Sequence, residues 1–211
     1  MIFRKPLYFL VKNSSFVFHT IYNRLSVRGR ENIPEGTVIV ASNHASNIDP
    51  PLIGGTFPRR LRYLAKESLF RNPLLGFLID TLGAIPVKRE DSQSAGAVMK
   101  MMLRLLSGGE SILLFPEGSR TPNGRLQPLE GGAALLAIRA GVPILPVYIA
   151  GSHATCPPGK ILPRPAKLSV TFAAPLYPDS YDCANDREKR AAMMHDLEGV
   201  LRSLERGATG A

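Results

Sequence analysis

A histidine and an aspartate five positions apart, His44 and Asp49, form the pair in this sequence best suited to chemistry. An imidazole whose ring is steadied by a carboxylate is a good general base toward a hydroxyl group. On a continuous helix, side chains five residues apart point about 140° away from each other, because one turn holds about 3.6 residues. The two side chains can therefore meet only if the chain turns between them.

The elements on either side of the pair predict such a turn. The apolar run from Thr37 to Ala41 predicts a strand that ends before Asn43, and Pro50-Pro51 predicts the start of a helix. In an alternative interpretation Asp49 only caps that helix, with Pro50 at the first helical position. This segment alone leaves both interpretations open.

Beyond Arg28-Gly29, short apolar runs alternate with helix-like stretches, and this pattern predicts an α/β fold in which helices sandwich a mainly parallel central sheet. We expect residues 26–211 to form this domain and residues 1–25 to form an N-terminal amphipathic helix. The predicted strands are residues 38–41, 61–65, 84–87, 111–115, 144–149 and 168–172. The predicted helices are residues 92–107, 130–140 and 186–206.

Three polar segments directly follow predicted strands. They are Asn43 to Asp49, Lys66-Glu67, and Pro116 to Arg120. In a parallel sheet, sites gather at the carboxyl ends of the strands. We therefore expect the three segments to lie along one edge of the sheet.

The segment Phe115 to Arg120 combines a glycine with two charged residues. Gly118 can let the backbone turn closely past a ligand, and the planar fork of Arg120 suits a phosphate or a carboxylate. Glu117 can accept hydrogen bonds from substrate hydroxyls or hold Arg120 in place. Taken alone, the same segment is also typical of a solvated turn.

The chain carries 26 Lys and Arg against 17 Asp and Glu, a formal charge of +9. Such an excess favours nucleic acid, an anionic membrane surface or a phosphorylated substrate as partner. The two cysteines, Cys156 and Cys183, show no metal-binding spacing and fit a reducing compartment. No apolar run reaches the roughly 18 residues expected of a membrane-spanning helix.

The first 25 residues are rich in apolar and aromatic side chains, and the first acidic residue of the chain is Glu31. Basic, aromatic-rich helices are typical of a membrane interface, where their cations lie near lipid headgroups. A helix packed on the domain core would also be apolar, and the two interpretations are compatible. The cations of this segment are Arg4, Lys5, Lys12 and Arg24.

Four segments together resemble, in order, those of the 1-acyl-glycerol-3-phosphate (lysophosphatidate) acyltransferase family. The resemblance spans roughly Val27 to Tyr177, and Ala65 to Phe70 resembles the family's lysine segment. Two residues depart from the family pattern: Ser119 stands where threonine is usual, and Glu130 where lysine is common. The four segments are Asn43 to Asp49, Gly83 to Arg89, Phe115 to Arg120 and Val142 to Val147.

The resemblance implies that His44 takes the proton from the free hydroxyl of a lysophospholipid while that oxygen attacks an acyl thioester. Asp49 would orient the imidazole, and Arg120 with Lys66 would hold the acceptor phosphate. Glu117 would contact the glycerol or order its loop. The remaining residues expected to bind substrate are Asn43, Gly118, Ser119, Lys88 and Arg89.

The implied product is phosphatidate, and the acyl donor is acyl-CoA or an acylated acyl carrier protein, with no cofactor and no metal. The expected location is the cytoplasmic face of the membrane, as a peripheral protein. Glycerol 3-phosphate, another lysophospholipid or a lyso-aminolipid is an alternative acceptor within the family. A non-catalytic basic module that binds lipid or nucleic acid is disfavoured, because the cations are scattered and the chain has no Trp.

Overall fold

The structure is a computed structural model that describes residues 4–87, 94–160 and 162–209. Within these ranges the strands are β1 (Ser26–Arg28), β2 (Ile39–Ser42), β3 (Leu61–Lys66), β4 (Ala84–Val87), β5 (Ser111–Leu114), β6 (Ile144–Ala150) and β7 (Ser169–Phe172). The α-helices are α1 (Arg4–Tyr22), α2 (Asp49–Thr56), α3 (Pro73–Thr81), α4 (Ser94–Ser107), α5 (Gly132–Ala140), α6 (Ser152–Thr155) and α7 (Asp186–Thr209). Short 3-10 helices cover Arg30–Asn32, Glu67–Arg71 and Pro178–Ser180.

The strands form one sheet in the order β1-β7-β6-β2-β5-β3-β4. The five strands from β6 to β4 are mutually parallel. Strand β7 pairs antiparallel with β6, and β1 runs parallel to β7. The predicted mainly parallel α/β fold is therefore confirmed, with the opposite strand direction confined to one end of the sheet.

Strand β2 lies in the middle of the sheet, and all four of its residues are buried. A strand covered on both faces has a continuous apolar sequence, as the run before Asn43 does. Val40 packs into the core on the face covered by α2 and α3, and Ile39 into the core beneath α4, α5 and α7. Two filled cores therefore fix the position of β2 and of the polar loop that follows it.

The structure contains elements that were not predicted from the sequence, and some predicted elements are shorter than expected. Helix α3 and strand β1 were not predicted. The predicted strand 111–115 ends at Leu114, and the predicted helix 130–140 begins at Gly132. Residues 92 and 93 of the predicted helix 92–107 lie outside the described residues.

Candidate active site

His44 and Asp49 meet at the carboxyl end of β2. The chain turns after this strand, and α2 begins at Asp49 itself. The Nδ1 atom of His44 lies 2.9 Å from Oδ2 of Asp49. The Asp49 side chain is fully buried, while that of His44 is 12% exposed. The turn expected from the flanking elements is thus present, and it places an imidazole–carboxylate pair at the end of β2 with the carboxylate buried and the ring partly exposed.

The Asp49 carboxylate faces the loop before the helix and not the first turn of the helix. Its Oδ2 atom also accepts the backbone N–H groups of Ala45 and Ser46, both at 2.7 Å. The capping position is held by Ile48, so the interpretation of Asp49 as a simple N-cap is wrong. Because a carboxylate oxygen only accepts, the ring proton lies on Nδ1 and leaves the lone pair of Nε2 for a substrate.

Contacts to its ring and to its backbone fix the orientation of His44. The ring of Phe115 stacks on the imidazole, with centroids 3.9 Å apart and planes 18° from parallel. The His44 N–H donates to Oε1 of Glu117 at 2.6 Å, and the His44 carbonyl accepts the N–H of Thr121 at 2.8 Å. No described residue hydrogen-bonds to Nε2, which is the atom that a general base would use.

Glu117 connects the loop that follows β2 with its own loop, which follows β5. Besides the His44 N–H, its carboxylate accepts the N–H of Gln127 at 2.8 Å. Burial raises the pKa of Glu117, and the two backbone hydrogen bonds oppose that rise. Of the roles expected from the sequence, this geometry supports ordering of the loop, because Arg120 is bound elsewhere.

Arg120 lies exposed beside the histidine loop, the segment from Asn43 to Asp49. Its Nη1 atom donates to Oδ1 of Asn47 at 2.8 Å, which ties the guanidinium to the loop between His44 and Asp49. Ser119 is also exposed. Gly118 adopts a positive φ of 70°, and a Cβ atom there would lie 2.7 Å from Oε1 of Glu130. The unusual Glu130 therefore packs directly against the turn that carries Arg120.

Asn43 ties the start of the histidine loop to strand β6. Its Nδ2 atom donates to the carbonyl of Ile149 at 2.9 Å, and its Oδ1 atom accepts the N–H of the same residue at 2.7 Å. The side chain is buried, and these two bonds continue the pairing of β2 with β6 beyond the end of β2. The substrate contact expected for Asn43 is therefore not the role that the structure gives it.

Replacement of Asn43 by alanine is expected to lower the free energy of unfolding by about 2–6 kcal/mol, since it leaves two buried backbone groups of Ile149 without partners at roughly 1–3 kcal/mol each. Urea unfolding followed by circular dichroism measures the change. The matched control is Asn13→Ala, because Asn13 is exposed on α1 and should shift the midpoint little. Equal stability of the two variants would contradict the supporting role.

The remaining predicted cations lie along the same edge or outside the described residues. Lys66 ends β3 and is exposed. Because β5 lies between β2 and β3, the ends of these two strands are about 10 Å apart laterally. Lys88 and Arg89 fall outside the described residues, although Val87 before them pairs with Lys66.

Three contacts of the site had no signal in the sequence: the stacking of Phe115, the tie from Asn47 to Arg120, and the bond from Gln127 to Glu117. Each joins side chains or amides that lie far apart or in different loops, and 73 residues separate Asn47 from Arg120. For these contacts the sequence predicted only that the loops involved lie at the same edge of the sheet.

Comparisons with known proteins identify the family of this chain. The family model of acyltransferases matches residues 24–150. The chain belongs to the acyltransferase family. The resemblance seen in the four sequence segments is thereby confirmed, and the matched range contains the histidine loop, Lys66 and the whole loop that carries Arg120.

Relatives of this acyltransferase are named for one reaction. A chloroplastic 1-acyl-sn-glycerol-3-phosphate acyltransferase of Brassica napus is 28% identical over 203 residues, covering 91% of this chain and 57% of that protein. A 1-acyl-sn-glycerol-3-phosphate acyltransferase of Bacillus subtilis is 28% identical over 201 residues, covering 94% and 97%. The chain thus spans little more than half of the plant relative and nearly all of the bacterial one.

A solved structure shows the same fold. The crystal structure of the 1-acyl-sn-glycerophosphate acyltransferase from Thermotoga maritima superposes with a TM-score of 0.78 at 27% sequence identity. The match covers 96% of this acyltransferase and 80% of that chain. The α/β architecture described above is therefore shared with a member of the family.

Proposed function

We propose that this acyltransferase moves a fatty acyl group from an acyl thioester to the free hydroxyl of 1-acylglycerol 3-phosphate and so forms phosphatidate. The observation that carries the proposal is the His44–Asp49 pair at 2.9 Å, with the cation of Arg120 tied to the same loop. A base and an anion-binding group held side by side suit an acceptor with both a hydroxyl and a phosphate. The names of the relatives support this acceptor.

In the proposed reaction, Nε2 of His44 removes the hydroxyl proton while the hydroxyl oxygen attacks the thioester carbonyl carbon. The C–S bond then breaks, the acyl group remains on the oxygen as an ester, and the leaving thiolate takes the proton from the imidazolium. Asp49 stabilises the charged imidazolium and holds the tautomer that keeps Nε2 unprotonated at the start. Atoms and charge balance without a covalent enzyme intermediate.

Release of free thiol from the donor tests the proposal directly. The purified chain is offered acyl-CoA or acylated acyl carrier protein together with lysophosphatidate, glycerol 3-phosphate or a lyso-aminolipid. We expect release that depends on lysophosphatidate. Preference for another acceptor would move the assignment within the family, and no release with any pair of substrates would favour a non-catalytic binding module.

Arg120→Ala is expected to raise the KM for lysophosphatidate by about 10- to 100-fold, because a hydrogen bond to a charged group contributes roughly 1.5–3 kcal/mol. Lower binding of the phosphate, and not slower chemistry, should account for most of the change. Arg125→Ala is the charge-matched control, since Arg125 is exposed in the same loop and has no predicted role. An equal rise in KM for both variants would mean that only the overall charge matters.

We also propose that the protein associates with the cytoplasmic face of a membrane through α1. This helix turns polar residues inward, and Lys12 donates to the carbonyl of Phe57 at 2.6 Å while His19 lies 2.9 Å from Asn23. Burial, with the nearby charge of Arg30, lowers the pKa of Lys12. Large apolar side chains instead face solvent: Phe9, Leu10, Val17, Phe18, Ile21 and Tyr22.

Large apolar side chains that face away from the core suit a helix that lies in a lipid interface. Lys12, expected near lipid headgroups, is instead buried against α2. Of the helices that the structure describes, none combines the length and hydropathy needed to cross a bilayer. The free thiols of Cys156 and Cys183 support placement on the reducing, cytoplasmic side.

A further inference from the structure

The segment between β3 and β4 exposes large apolar side chains that the catalytic proposal does not use. The exposed fraction is 79% for Leu74 and 50% for Phe77. Single exposed apolar residues are common on protein surfaces, but a dense group of them marks an interaction site. The exposed members of this segment are Leu69, Leu74, Leu75, Phe77 and Leu78.

This surface is held in place by the rest of the segment. Phe70, Ile79 and Leu82 pack against the same core as α2, so α3 is anchored by one side while its other side faces out. Gly76 packs tightly on the preceding 3-10 helix, because a Cβ atom there would lie 2.9 Å from the carbonyl oxygen of Phe70. The exposed side chains therefore belong to a segment that is packed against the core.

The segment begins at the edge of the sheet that carries the site. The 3-10 helix Glu67–Arg71 follows directly on Lys66, and α3 starts two residues after it. The helix lies on the same face of the sheet as α1 and α2, and α1 contacts α3. The outer side of this segment therefore lies beside the site, on the layer that already carries the exposed apolar face of α1.

The end of α1 reaches the same edge on the other side of the histidine loop. The Asn23 amide donates to the carbonyls of Arg164 and Ala166, just before β7. Strand β7 is antiparallel to β6, and its first residue, Ser169, pairs with the last residue of β6, Ala150. The exposed Phe18, Ile21 and Tyr22 therefore flank the site opposite α3, together with Leu162, which is 81% exposed.

The charges near these two apolar surfaces match an anionic lipid surface. Exposed Arg24, Arg28 and Arg30 follow α1, and no acid precedes Glu31. The segment from Lys66 to Asp80 is balanced, since Lys66 and Arg71 offset Glu67 and Asp80. The apolar group on α3 thus carries no net negative charge that would oppose contact with anionic headgroups.

We infer that the outer side of the 3-10 helix Glu67–Arg71 and of α3 is a second bilayer contact, which with α1 seats the edge bearing His44 on an anionic lipid surface. This inference rests on the proposed membrane association of α1. Two contacts that flank the histidine loop hold that edge toward the bilayer, from which a single-chain lipid can enter the site without crossing water. Aliphatic and phenyl side chains without hydrogen-bonding groups suit the acyl region of a leaflet.

The absence of Trp from the chain allows a direct test with single introduced tryptophans. The full chain is prepared as Leu74→Trp, Phe18→Trp and Tyr177→Trp and mixed with phosphatidylcholine–phosphatidylglycerol vesicles whose acyl chains are brominated. Tyr177 is a matched control, because it is exposed next to Leu176, which bridges to Ile144 at the opposite edge of the sheet. We expect a blue shift and quenching for Leu74→Trp and Phe18→Trp and neither for Tyr177→Trp.

Vesicle sedimentation gives the second measurement. The double variant Leu74→Ser with Phe77→Ser should bind the same vesicles at least about ten-fold more weakly, because burial of a single large apolar side chain is by itself worth about ten-fold or more in affinity. Tyr177→Ser should bind as the parent chain does. Circular dichroism of both variants verifies that the fold is retained.

The outcomes separate this inference from the proposals on which it rests. Quenching of Phe18→Trp without quenching of Leu74→Trp would overturn the second contact and leave α1 as the membrane element. No quenching of either variant would also remove the proposed membrane association. A blue shift of Leu74→Trp that follows protein concentration without vesicles would assign the surface to a second copy of the chain. None of these readouts depends on acyl transfer.

Discussion

His44→Ala should slow acyl transfer to lysophosphatidate by about 10²- to 10⁴-fold, the usual contribution of general acid–base catalysis. The variant loses Nε2, the atom that would accept the substrate proton. It keeps the hydrogen bonds of residue 44 to Glu117 and Thr121, because both use backbone groups. The loss should therefore appear in kcat while the fold survives, as measured by thiol release and by thermal unfolding.

The control for this variant is His195→Ala. His195 is exposed on α7 and distant in sequence from both loops of the site, so its removal should leave the rate at the parent value. A His44→Ala variant that folds and retains more than about a tenth of the parent rate would refute the role of His44 as general base.

Asp49→Asn should lower kcat by about 10²- to 10⁴-fold even though the side chain keeps its shape; in the serine proteases the corresponding change costs about 10⁴. In the parent chain, Oδ2 accepts the Nδ1–H of His44 and two backbone N–H groups. The two backbone N–H groups require an acceptor at that position, so the amide keeps its oxygen there and still accepts the ring N–H. Without the negative charge, it no longer stabilises the imidazolium that forms when His44 takes the substrate proton.

Asp49→Ala separates orientation of the ring from support of the loop. It leaves the buried N–H groups of Ala45 and Ser46 without their acceptor, so its free energy of unfolding should fall by a further 1–3 kcal/mol or so per group. Asp182→Asn, at an exposed position, is the control for both measurements. If Asp49→Asn folds and turns over at the parent rate, the carboxylate serves only the loop.

The sequence predicted the encounter of His44 and Asp49 for a physical reason. The apolar run that ends at Ala41 marks a central strand, and two prolines mark a helix start, so the chain between Ala41 and Pro50 must turn. The rule that loops gather at the carboxyl ends of parallel strands placed the Arg120 loop beside them. Periodicity and turn chemistry are local, and these features follow from them.

Features that depend on register or on a choice of face were not predictable in this way. The stacking of Phe115 on His44 depends on how β5 lies beside β2. Asn43 is of a residue type that often binds ligands, yet its buried side chain hydrogen-bonds to the backbone of Ile149. The apolar content of α1 did not show which of its side chains would face the core, and Lys12 and His19 are buried.

The way in which Asp49 and Glu117 hold the histidine loop bears on its tolerance to mutation. Besides the contact of Asp49 with the His44 ring, the two carboxylates accept hydrogen bonds from the backbone N–H groups of His44, Ala45 and Ser46. Every amino acid except proline carries that group, so these bonds do not depend on the side chain at position 45, whereas the buried hydroxyl of Ser46 also donates to the carbonyl of Cys156. In a library randomised at these two positions, selection should exclude proline and large side chains at position 45 and should retain a hydroxyl at position 46, because both residues are buried.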